Sequence, residues 1–240
     1  MLGNSNIHTV DEICINHENK NLFIDNYYLP RVPAVIKGGA KEWPLIKSWT
    51  DEYLIKEYGD YLCTVVNDSR PAYSKEKSTL KNYFKNHSEK STLTLELYDK
   101  NISTYFIKDI ILPNPLFSKE TIARYFFFNS HEMAGTLPHF HGDAFNILQS
   151  GRKKWALYDC LPNVAPRGFL TVSESFKTYP PGTHAKAWFS NELPTLYKKV
   201  EKAYQCIQEP TDIVFIPFRF AHAVLNQSSV RGIAIENVKR

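Results

Sequence analysis

Cysteine, methionine and glycine are scarce in this 240-residue sequence, which has four, two and ten of them respectively. The cysteines are far apart and form no CxxC pair; they are Cys14, Cys63, Cys160 and Cys206. This pattern argues against a disulfide framework and against a cysteine-based zinc site. It suits a reducing compartment, so we expect a cytoplasmic protein.

The sequence also lacks long hydrophobic runs and a strong charge of one sign. No run of 18 apolar residues occurs, so we expect no membrane-spanning helix. Residues 1–6 contain neither a basic nor an apolar stretch, and we expect no secretory signal. The 29 basic and 25 acidic side chains give a net charge of +4 and are interspersed along the chain. That balance does not indicate a nucleic-acid partner or an anionic membrane.

The composition provides ample apolar material for a core. The chain is 43% hydrophobic and 14% aromatic, well outside the range of disordered sequences. Its length suits one globular domain, and we find no internal repeat or low-complexity tract. We therefore expect a single domain over 1–240, with a mixed helical part to about residue 120 and a β-rich part over about 121–240.

Short helices and strands alternate in the first part. The β-branched run 33–38 ends in glycine and predicts a strand followed by a turn. Residues 50–59 carry an apolar stripe and predict a two-turn helix that Thr50 can cap. Further along, the pattern predicts a strand and another short helix, over 61–66 and 78–86.

The second part consists mainly of short strand-like runs separated by turn residues. These runs cover 125–128, 145–149, 154–158, 212–216, 223–226 and 232–236. Several strands joined by tight turns predict a sandwich or barrel rather than βαβ units. The expected fold is therefore mostly β with flanking helices, in the α+β class.

A long insert over 161–205 interrupts these strands. It is rich in proline and glycine as far as residue 182, and then predicts a helix over 192–203. A long connection in a β-barrel is often functional or covers an opening. The aromatic residues Tyr179, Trp188 and Phe189 are therefore candidates for a lid or a substrate wall, with core packing as the alternative.

The densest group of potential metal ligands lies in the stretch 135–146, GTLPHFHGDAFN. Side chains at i and i+2 of a strand share a face, roughly 6 to 7 Å apart, so His139 and His141 could bind one metal, and so could His141 and Asp143. All three could reach one ion only if the chain bends, which costs least at Gly142. Imidazole and carboxylate ligands at this spacing suit a first-row divalent metal, including non-haem Fe(II), although an isolated pair of this kind is more often structural.

A third histidine lies in the stretch 209–226, EPTDIVFIPFRFAHAVLN. This stretch predicts a turn, a buried strand, a proline stop and then His222 at the beginning of another strand. A distant histidine on a neighbouring strand is what a three-ligand barrel site needs, because the remaining positions on the metal stay open. Alone, His222 would more simply be a core histidine beside Phe220.

Together these stretches resemble the JmjC (cupin-like) Fe(II)/2-oxoglutarate-dependent oxygenases, of the small hydroxylase type. The similarity runs from about residue 22 to 238 in four ordered blocks. They are the segment 28–54, the GT…HxH stretch, the run N…GRKKWALY over 146–158, and the segment 210–237 that ends in IAIEN. The resemblance implies a double-stranded β-helix, or jelly-roll cupin barrel, with an N-terminal helical segment. It also implies Fe(II), 2-oxoglutarate as co-substrate, and O₂.

The resemblance assigns roles to individual positions. His139 occupies the first iron-ligand position and His222 the distal one, while Thr136 matches a residue that contacts 2-oxoglutarate. Lys153 matches the lysine that pairs with the distal carboxylate of 2-oxoglutarate, a charge-assisted bond that fixes the direction of the co-substrate. Lys153 could instead belong to a solvated hairpin tip.

Two asparagines, Asn146 and Asn237, match polar positions near the co-substrate or a metal-bound water. For each of them, a structural hydrogen bond is an equal alternative.

The sequence departs from the family pattern at the second ligand, where His-x-Asp is replaced by His139-x-His141 and the carboxylate follows at Asp143. Three readings follow: a shifted pair of His141 and Asp143, a three-histidine site with His222, or a turn at Gly142 that brings Asp143 into the missing position. They differ in charge, because Fe²⁺ with one carboxylate leaves +1 and with three neutral imidazoles leaves +2. A less anionic ligand set makes oxidative chemistry harder.

The resemblance implies a dioxygenase that hydroxylates an amino-acid side chain of a protein or peptide, with a small molecule also open as substrate. Because the usual aspartate is missing, a catalytically impaired pseudo-oxygenase that serves as a binding module is the alternative. A metal-dependent cupin without 2-oxoglutarate is a third reading. The sequence leaves the oligomeric state open.

Overall fold

The computed structural model describes the chain as two β-sheets with short helices around them. The described residues are 7–15, 20–67, 74–86, 92–96, 108–110, 123–159, 184–198, 200, 202–218 and 220–237. No helix in these ranges is long and apolar enough to cross a membrane.

The strands of the described ranges are numbered in chain order. They are β1 (Ile7–Thr9), β2 (Asp11–Ile13), β3 (Ala34–Ile36), β4 (Leu62–Asn67), β5 (Ser74–Thr79), β6 (Thr92–Glu96), β7 (Ala123–Ser130), β8 (Gly135–His139), β9 (Ala144–Ser150), β10 (Lys153–Asp159), β11 (Ala203–Gln208), β12 (Ile213–Ile216), β13 (Phe220–Asn226) and β14 (Val230–Asn237). The smaller sheet has the order β1-β11-β10-β13-β8, and the larger one β2-β3-β12-β9-β14-β7-β6-β4-β5. The jelly-roll cupin fold expected from the sequence is confirmed.

The helices are short and lie on the outer faces of the sheets. They are α1 (Lys20–Phe23), which continues into a π-helical turn over Ile24–Tyr28, α2 (Pro44–Ser48), α3 (Asp51–Tyr58), α4 (Leu80–Asn86), α5 (Ala185–Asn191) and α6 (Leu193–Tyr197). The predicted cap of α3 is confirmed, since the Thr50 side chain accepts a hydrogen bond from the Tyr53 backbone N–H at 3.2 Å. The predicted strands are present, in several cases with longer bounds.

Side chains along the strands of the larger sheet point alternately to a core face and to a cavity face, as expected for half-buried strands. Its outer face packs against the N-terminal helices in one large apolar cluster. There Trp49 meets Phe127 with ring centroids 5.4 Å apart, and Phe23 meets Phe215 at 5.3 Å. The neighbours of Phe127 along β7, Phe126 and Phe128, face the interior between the sheets instead.

The helix predicted over 192–203 is wrong in its bounds. The structure has α5 and α6 between residues 185 and 197, and β11 begins at Ala203. Pro194 stands in the first turn of α6, where its missing N–H costs nothing, so it starts a new helix rather than extending α5. The insert is helical as expected, but its helices begin at Ala185 and the break between them falls at Glu192.

The aromatic residues of this insert form part of the core. Trp188 and Phe189 are buried against Ala156 and Ala223 on the outer face of the smaller sheet. They do not line the interior cavity, so the lid interpretation is wrong for these two residues and the packing alternative holds. Tyr179 lies outside the described residues.

A buried carboxylate fixes the turn that leads into β12. Asp212 accepts hydrogen bonds from the Lys37 ammonium at 2.6 Å, from the Gly38 backbone N–H at 3.0 Å and from the Glu209 backbone N–H at 3.0 Å. The same Lys37 ammonium lies 4.0 Å from the exposed carboxylate of Glu12. Asp212 therefore joins β3 and β12 at one edge of the larger sheet, while Glu12 adds only a solvent-screened contact.

We expect Asp212→Ala to lower the free energy of unfolding by about 2–4 kcal/mol, because three donors lose their acceptor. Urea unfolding followed by circular dichroism measures this loss. Glu12→Ala removes an exposed partner of the same lysine and is the matched control, with an expected change below about 0.5 kcal/mol. Equal losses in the two variants would contradict the assignment.

Candidate metal centre and its cavity

Three histidines converge at one end of the space between the sheets. His139 ends β8 and His222 lies in β13, and the two residues are directly paired across these antiparallel strands. Their ring centroids are 4.2 Å apart. The His141 ring, just after β8, lies 5.6 Å from that of His139 and 4.6 Å from that of His222. One ring nitrogen from each histidine lies within 4.8 Å of those of the other two, as a shared ion requires.

A bulge in β8 makes this arrangement possible. His222 pairs with His139, but Val224 pairs with Thr136, so three residues of β8 span the interval of two residues in β13. The irregularity includes Pro138, which cannot donate to a sheet ladder and is tolerated at bulges. Because of the extra residue, Thr136 and His139 both face the cavity, although residues three apart in a regular strand point to opposite faces.

The hydrogen bonds of the three rings leave the same nitrogen of each ring free. Each Nδ1 lies near a backbone carbonyl oxygen: Leu137 at 2.8 Å for His139, Gly142 at 2.9 Å for His141 and Phe220 at 3.2 Å for His222. A carbonyl oxygen can only accept, so Nδ1 carries the hydrogen in each neutral ring. The lone pairs of the three Nε2 atoms remain for a metal.

The surroundings keep the rings of His139 and His222 neutral. Burial, together with the neighbouring His141, lowers the pKa of His139 to about 4. Burial, and then the charges of His139 and His141, hold the pKa of His222 well below its ordinary value. Three imidazole nitrogen donors on one side of a cavity fit a first-row divalent metal such as Fe(II).

The carboxylate of Asp143 has other partners. One of its oxygens pairs with the Arg31 guanidinium, and the other accepts a hydrogen bond from the Phe218 backbone N–H at 2.7 Å. Asp143 is not among the residues whose ligand atoms meet at the histidines, and it does not line the cavity.

The bend expected at Gly142 is present between His141 and Asp143. A Cβ atom at Gly142 would lie 2.3 Å from the backbone oxygen of Asn237, so the turn packs directly against the end of β14. The Asn237 backbone N–H in turn donates to the Asp143 backbone oxygen at 2.8 Å. The bend brings the chain toward β14 and carries the Asp143 side chain away from the histidines.

The histidines open into a cavity of about 470 Å³ between the sheets. Three predicted co-substrate residues, Thr136, Asn146 and Lys153, also line it, whereas Asn237 does not. Most of the remaining lining is apolar: Phe126, Phe128, Phe140, Ala144, Trp155, Ile216, Val224, Val230 and Ala234.

The opposite end of the cavity is cationic. Lys153 is only 6% exposed, and its ammonium lies 3.4 Å from the centroid of the Phe128 ring and 3.5 Å from Oδ1 of Asn146. No carboxylate among the described residues forms an ion pair with Lys153, and burial lowers its pKa well below the ordinary value. A buried cation facing a cavity without an anionic partner indicates a site for an anion. The hairpin-tip alternative for Lys153 is wrong.

The strand register sets the distance between the two ends. In the pairing of β10 with β13, Leu157 is opposite His222 and Lys153 is opposite Asn226. Four residues of strand span about 13 Å, and the lysine side chain shortens the gap to the metal end. The cavity is therefore long enough for a small dicarboxylate between the ammonium and the histidines.

Besides Thr92 on β6, sequence reasoning missed three polar residues of the lining as site residues: Ser130, Asn226 and Glu236. The Asn226 side chain donates to Ser130 Oγ at 3.0 Å beside Lys153, and Glu236 lies near the histidine turn. Period-2 alternation could have indicated each of them. Asn226 shares a face with His222, Ser130 with Phe128, and Glu236 with Ala234.

Comparison with known proteins places this geometry in a family. The model of the cupin-like domain matches residues 19–236. The chain is 26% identical over 217 residues to "Arginine-specific demethylase JMJ22" of Arabidopsis thaliana, a match that covers 85% of this chain and 41% of the relative. It is 25% identical over 231 residues to "Bifunctional arginine demethylase and lysyl-hydroxylase psr-1" of Caenorhabditis elegans, which covers 85% and 55%.

Two further matches are similar in extent. "2-oxoglutarate and iron-dependent oxygenase JMJD4" of Gallus gallus is 25% identical over 245 residues, covering 85% of this chain and 54% of the relative. The X-ray structure of E. coli ycfD superposes with a TM-score of 0.60 at 15% identity, over 94% of this chain and 53% of that one. At that identity the match supports the fold alone.

The chain spans only part of the curated relatives it matches, between 23% and 55% of their length. Within that part, the family model covers almost the whole chain, and the relatives carry JmjC names. The chain therefore belongs to the cupin-like domain family, and its resemblance to the JmjC oxygenases is confirmed.

Proposed function

We propose that this protein is an Fe(II)- and 2-oxoglutarate-dependent dioxygenase that hydroxylates an amino-acid side chain of a protein or peptide. The observation that carries the proposal is the pair of sites in one cavity: three metal-competent histidines at one end and, at the other, Lys153, which has no ion-pair partner among the described residues. The relatives support it, since one is named a 2-oxoglutarate and iron-dependent oxygenase and another a lysyl-hydroxylase.

The ligand set we propose is His139, His141 and His222. Of the three readings left open by the sequence, this one needs no rearrangement, because the Nδ1 atoms are already engaged by carbonyls. The two readings with Asp143 as a ligand would require it to leave both Arg31 and the Phe218 N–H. We therefore assign Asp143 to the positioning of the turn that carries His141.

For the co-substrate, we propose that Lys153 binds the distal carboxylate of 2-oxoglutarate. Asn146 lies beside the ammonium, and Thr136 faces the same space from β8. Each can donate a hydrogen bond to a bound dicarboxylate. Asn237 lies outside the lining, and we assign it to the structural hydrogen bond between its backbone and Asp143.

With Fe(II) bound, the centre would supply the oxidising chemistry in which O₂ and 2-oxoglutarate give succinate and CO₂, one oxygen atom entering succinate and the other the substrate C–H bond. The residues of the chain bind and orient. Lys153 fixes the direction of the co-substrate, and the histidines hold the metal at the far end. The apolar wall that includes Phe126, Phe128 and Val224 excludes water from the reacting atoms.

We further propose a cytoplasmic protein that works as one domain. The described cysteines Cys63 and Cys206 are free thiols, which suits a reducing compartment. Protein-linked side chains are the substrates we favour, because the names of the relatives refer to arginine and lysine residues.

The experiment that tests the proposed function measures succinate release and 2-oxoglutarate binding by the purified, iron-loaded protein. We expect 2-oxoglutarate to bind and slow succinate release to occur even without substrate, and His222→Ala to abolish that release. Failure to bind 2-oxoglutarate at any metal loading would overturn the enzyme proposal. It would favour the alternative of a pseudo-oxygenase that serves as an interaction module.

We expect His141→Ala and His222→Ala each to weaken Fe(II) or Co(II) binding at least about 100-fold, because each removes a ligand. Asp143→Asn should change the affinity by less than about tenfold, since the amide oxygen can still accept from the Phe218 N–H. Isothermal titration calorimetry with Co(II) measures all three affinities.

The matched histidine control is His8→Ala, in β1, which should leave metal affinity unchanged. A loss in Asp143→Asn as large as in the histidine variants would make Asp143 a ligand and contradict the three-histidine set.

We expect Lys153→Met to raise the KM for 2-oxoglutarate at least about tenfold, because the distal carboxylate loses its cation. The same change should stabilise the ligand-free protein, because it removes a buried charge that has no anion beside it.

Since the pKa of Lys153 is lowered in the fold, the unfolded chain binds this proton more tightly. The stability of the ligand-free wild type should therefore rise with pH toward the ordinary lysine pKa, and that slope should diminish in the variant. Thermal unfolding with and without 2-oxoglutarate measures both effects.

Lys154→Met is the control, because the neighbouring ammonium points to the outer face, 5.8 Å from the Phe189 ring centroid. It should change neither the KM nor the response to 2-oxoglutarate. Unchanged activity in Lys153→Met would favour a cupin that does not use 2-oxoglutarate.

A further inference from the structure

Two carboxylates lie close to the turn that carries His141, and they differ in how their charge is balanced. Asp143 is neutralised by Arg31 and faces away from the cavity. Glu236, on β14, lines the cavity together with the three histidines. It is the only carboxylate among the described lining residues, and no cationic side chain of the described chain forms an ion pair with it.

The backbone places Glu236 at the metal end of the cavity. In the register of β14 with β9, Glu236 is opposite Ala144, which directly follows the turn over residues 141–143. One carboxylate oxygen, Oε1, accepts a hydrogen bond from the Gly142 backbone N–H at 3.2 Å. Gly142 is the neighbour of His141 in the chain, so the carboxylate is held against the loop of a proposed ligand.

The charges of the loaded site show what this carboxylate can do. A divalent metal with three neutral imidazoles carries +2, the Lys153 ammonium +1 and the bound dicarboxylate −2, which leaves an excess of +1. The single negative charge of Glu236 brings the sum over the cavity-lining groups to zero; Arg124, opposite Glu236 on β7, does not line the cavity. A cationic group on the substrate is therefore not needed to balance Glu236. Such a group would bring the net charge of the site back to +1.

We propose that Glu236 balances the charge of the three-histidine centre from outside the ligand shell, a role that rests on the proposed function of the cavity. In this chain the negative charge next to the metal comes from β14, because the aspartate that follows the HxH turn is paired with Arg31. Glu236 stabilises the bound cation through space, since charges close together in a low-dielectric cavity interact more strongly than in water.

The test compares Glu236→Gln with the wild type in two equilibrium measurements. Glutamine keeps the acceptor for the Gly142 N–H and removes only the charge. We expect the affinity for Co(II) to fall about tenfold, which corresponds to ~1.4 kcal/mol. We expect the affinity of the Co(II)-loaded protein for 2-oxoglutarate to rise several-fold, because a dianion then meets a more positive site. A variant that merely disturbed the site would weaken both.

The control is Glu132→Gln, which removes an exposed carboxylate near the start of β8 and should change neither affinity. A Glu236→Gln protein that behaves like this control, or that binds both ligands more weakly, would overturn the inference. A changed visible spectrum of bound Co(II) would also overturn it, since Glu236 would then be a ligand. If the wild type itself binds neither Co(II) nor 2-oxoglutarate, the proposed function fails instead.

Discussion

The alignment of β13 with its two neighbours is the constraint on which the site depends. On one side it sets His222 opposite His139, and on the other it sets Leu157 opposite His222, four residues from Lys153. A slip of one residue would turn every side chain of β13 to the other face of the sheet. His222 would then point toward the helices outside, and the metal site would lose a donor. The positions of both cavity ends therefore follow from hydrogen bonds between backbones rather than from any contact between the functional side chains.

The bulge in β8 adds a second condition to this alignment. It lets Thr136 and His139 face the same cavity although an odd number of residue steps separates them. Bulges turn a side chain at the cost of one unpaired residue, and Pro138 cannot contribute to the ladder in any case. The three-residue offset between the threonine and the first histidine, which looks irregular for a strand, thus has a local structural cause.

The sequence predicted the parts of the site that lie close together in the chain or carry distinctive side chains. The HxH motif, the distant His222 and the GRKKW turn before β10 are of this kind, and the period-2 runs located most of the surrounding strands. It did not predict the partner of Asp143, because Arg31 lies 112 residues away and contacts it only through the folding of the N-terminal segment. Glu236 was missed for a related reason, since its closeness to Gly142 depends on the pairing of β14 with β9. The helices of the insert were misplaced because Pro194 starts a new helix, and the end of the preceding helix at Asn191 depends on packing that the sequence does not reveal.

The charge layout shows why the departure at the second ligand is compatible with the proposed function. An aspartate ligand places its negative charge on the metal directly, whereas the proposed ligands are three imidazoles and the carboxylate that lines the described cavity comes from another strand. Coulomb energy depends on distance and on the dielectric between the charges, not on a covalent or coordinate bond. A carboxylate held by the Gly142 N–H in a largely apolar cavity can therefore replace much of the electrostatic contribution of the aspartate, although not its coordination. In the proposed ligand set the coordination passes to His141, whose Nδ1 is held by the carbonyl of the same glycine. One turn thus positions both the proposed ligand and the carboxylate proposed to balance its charge.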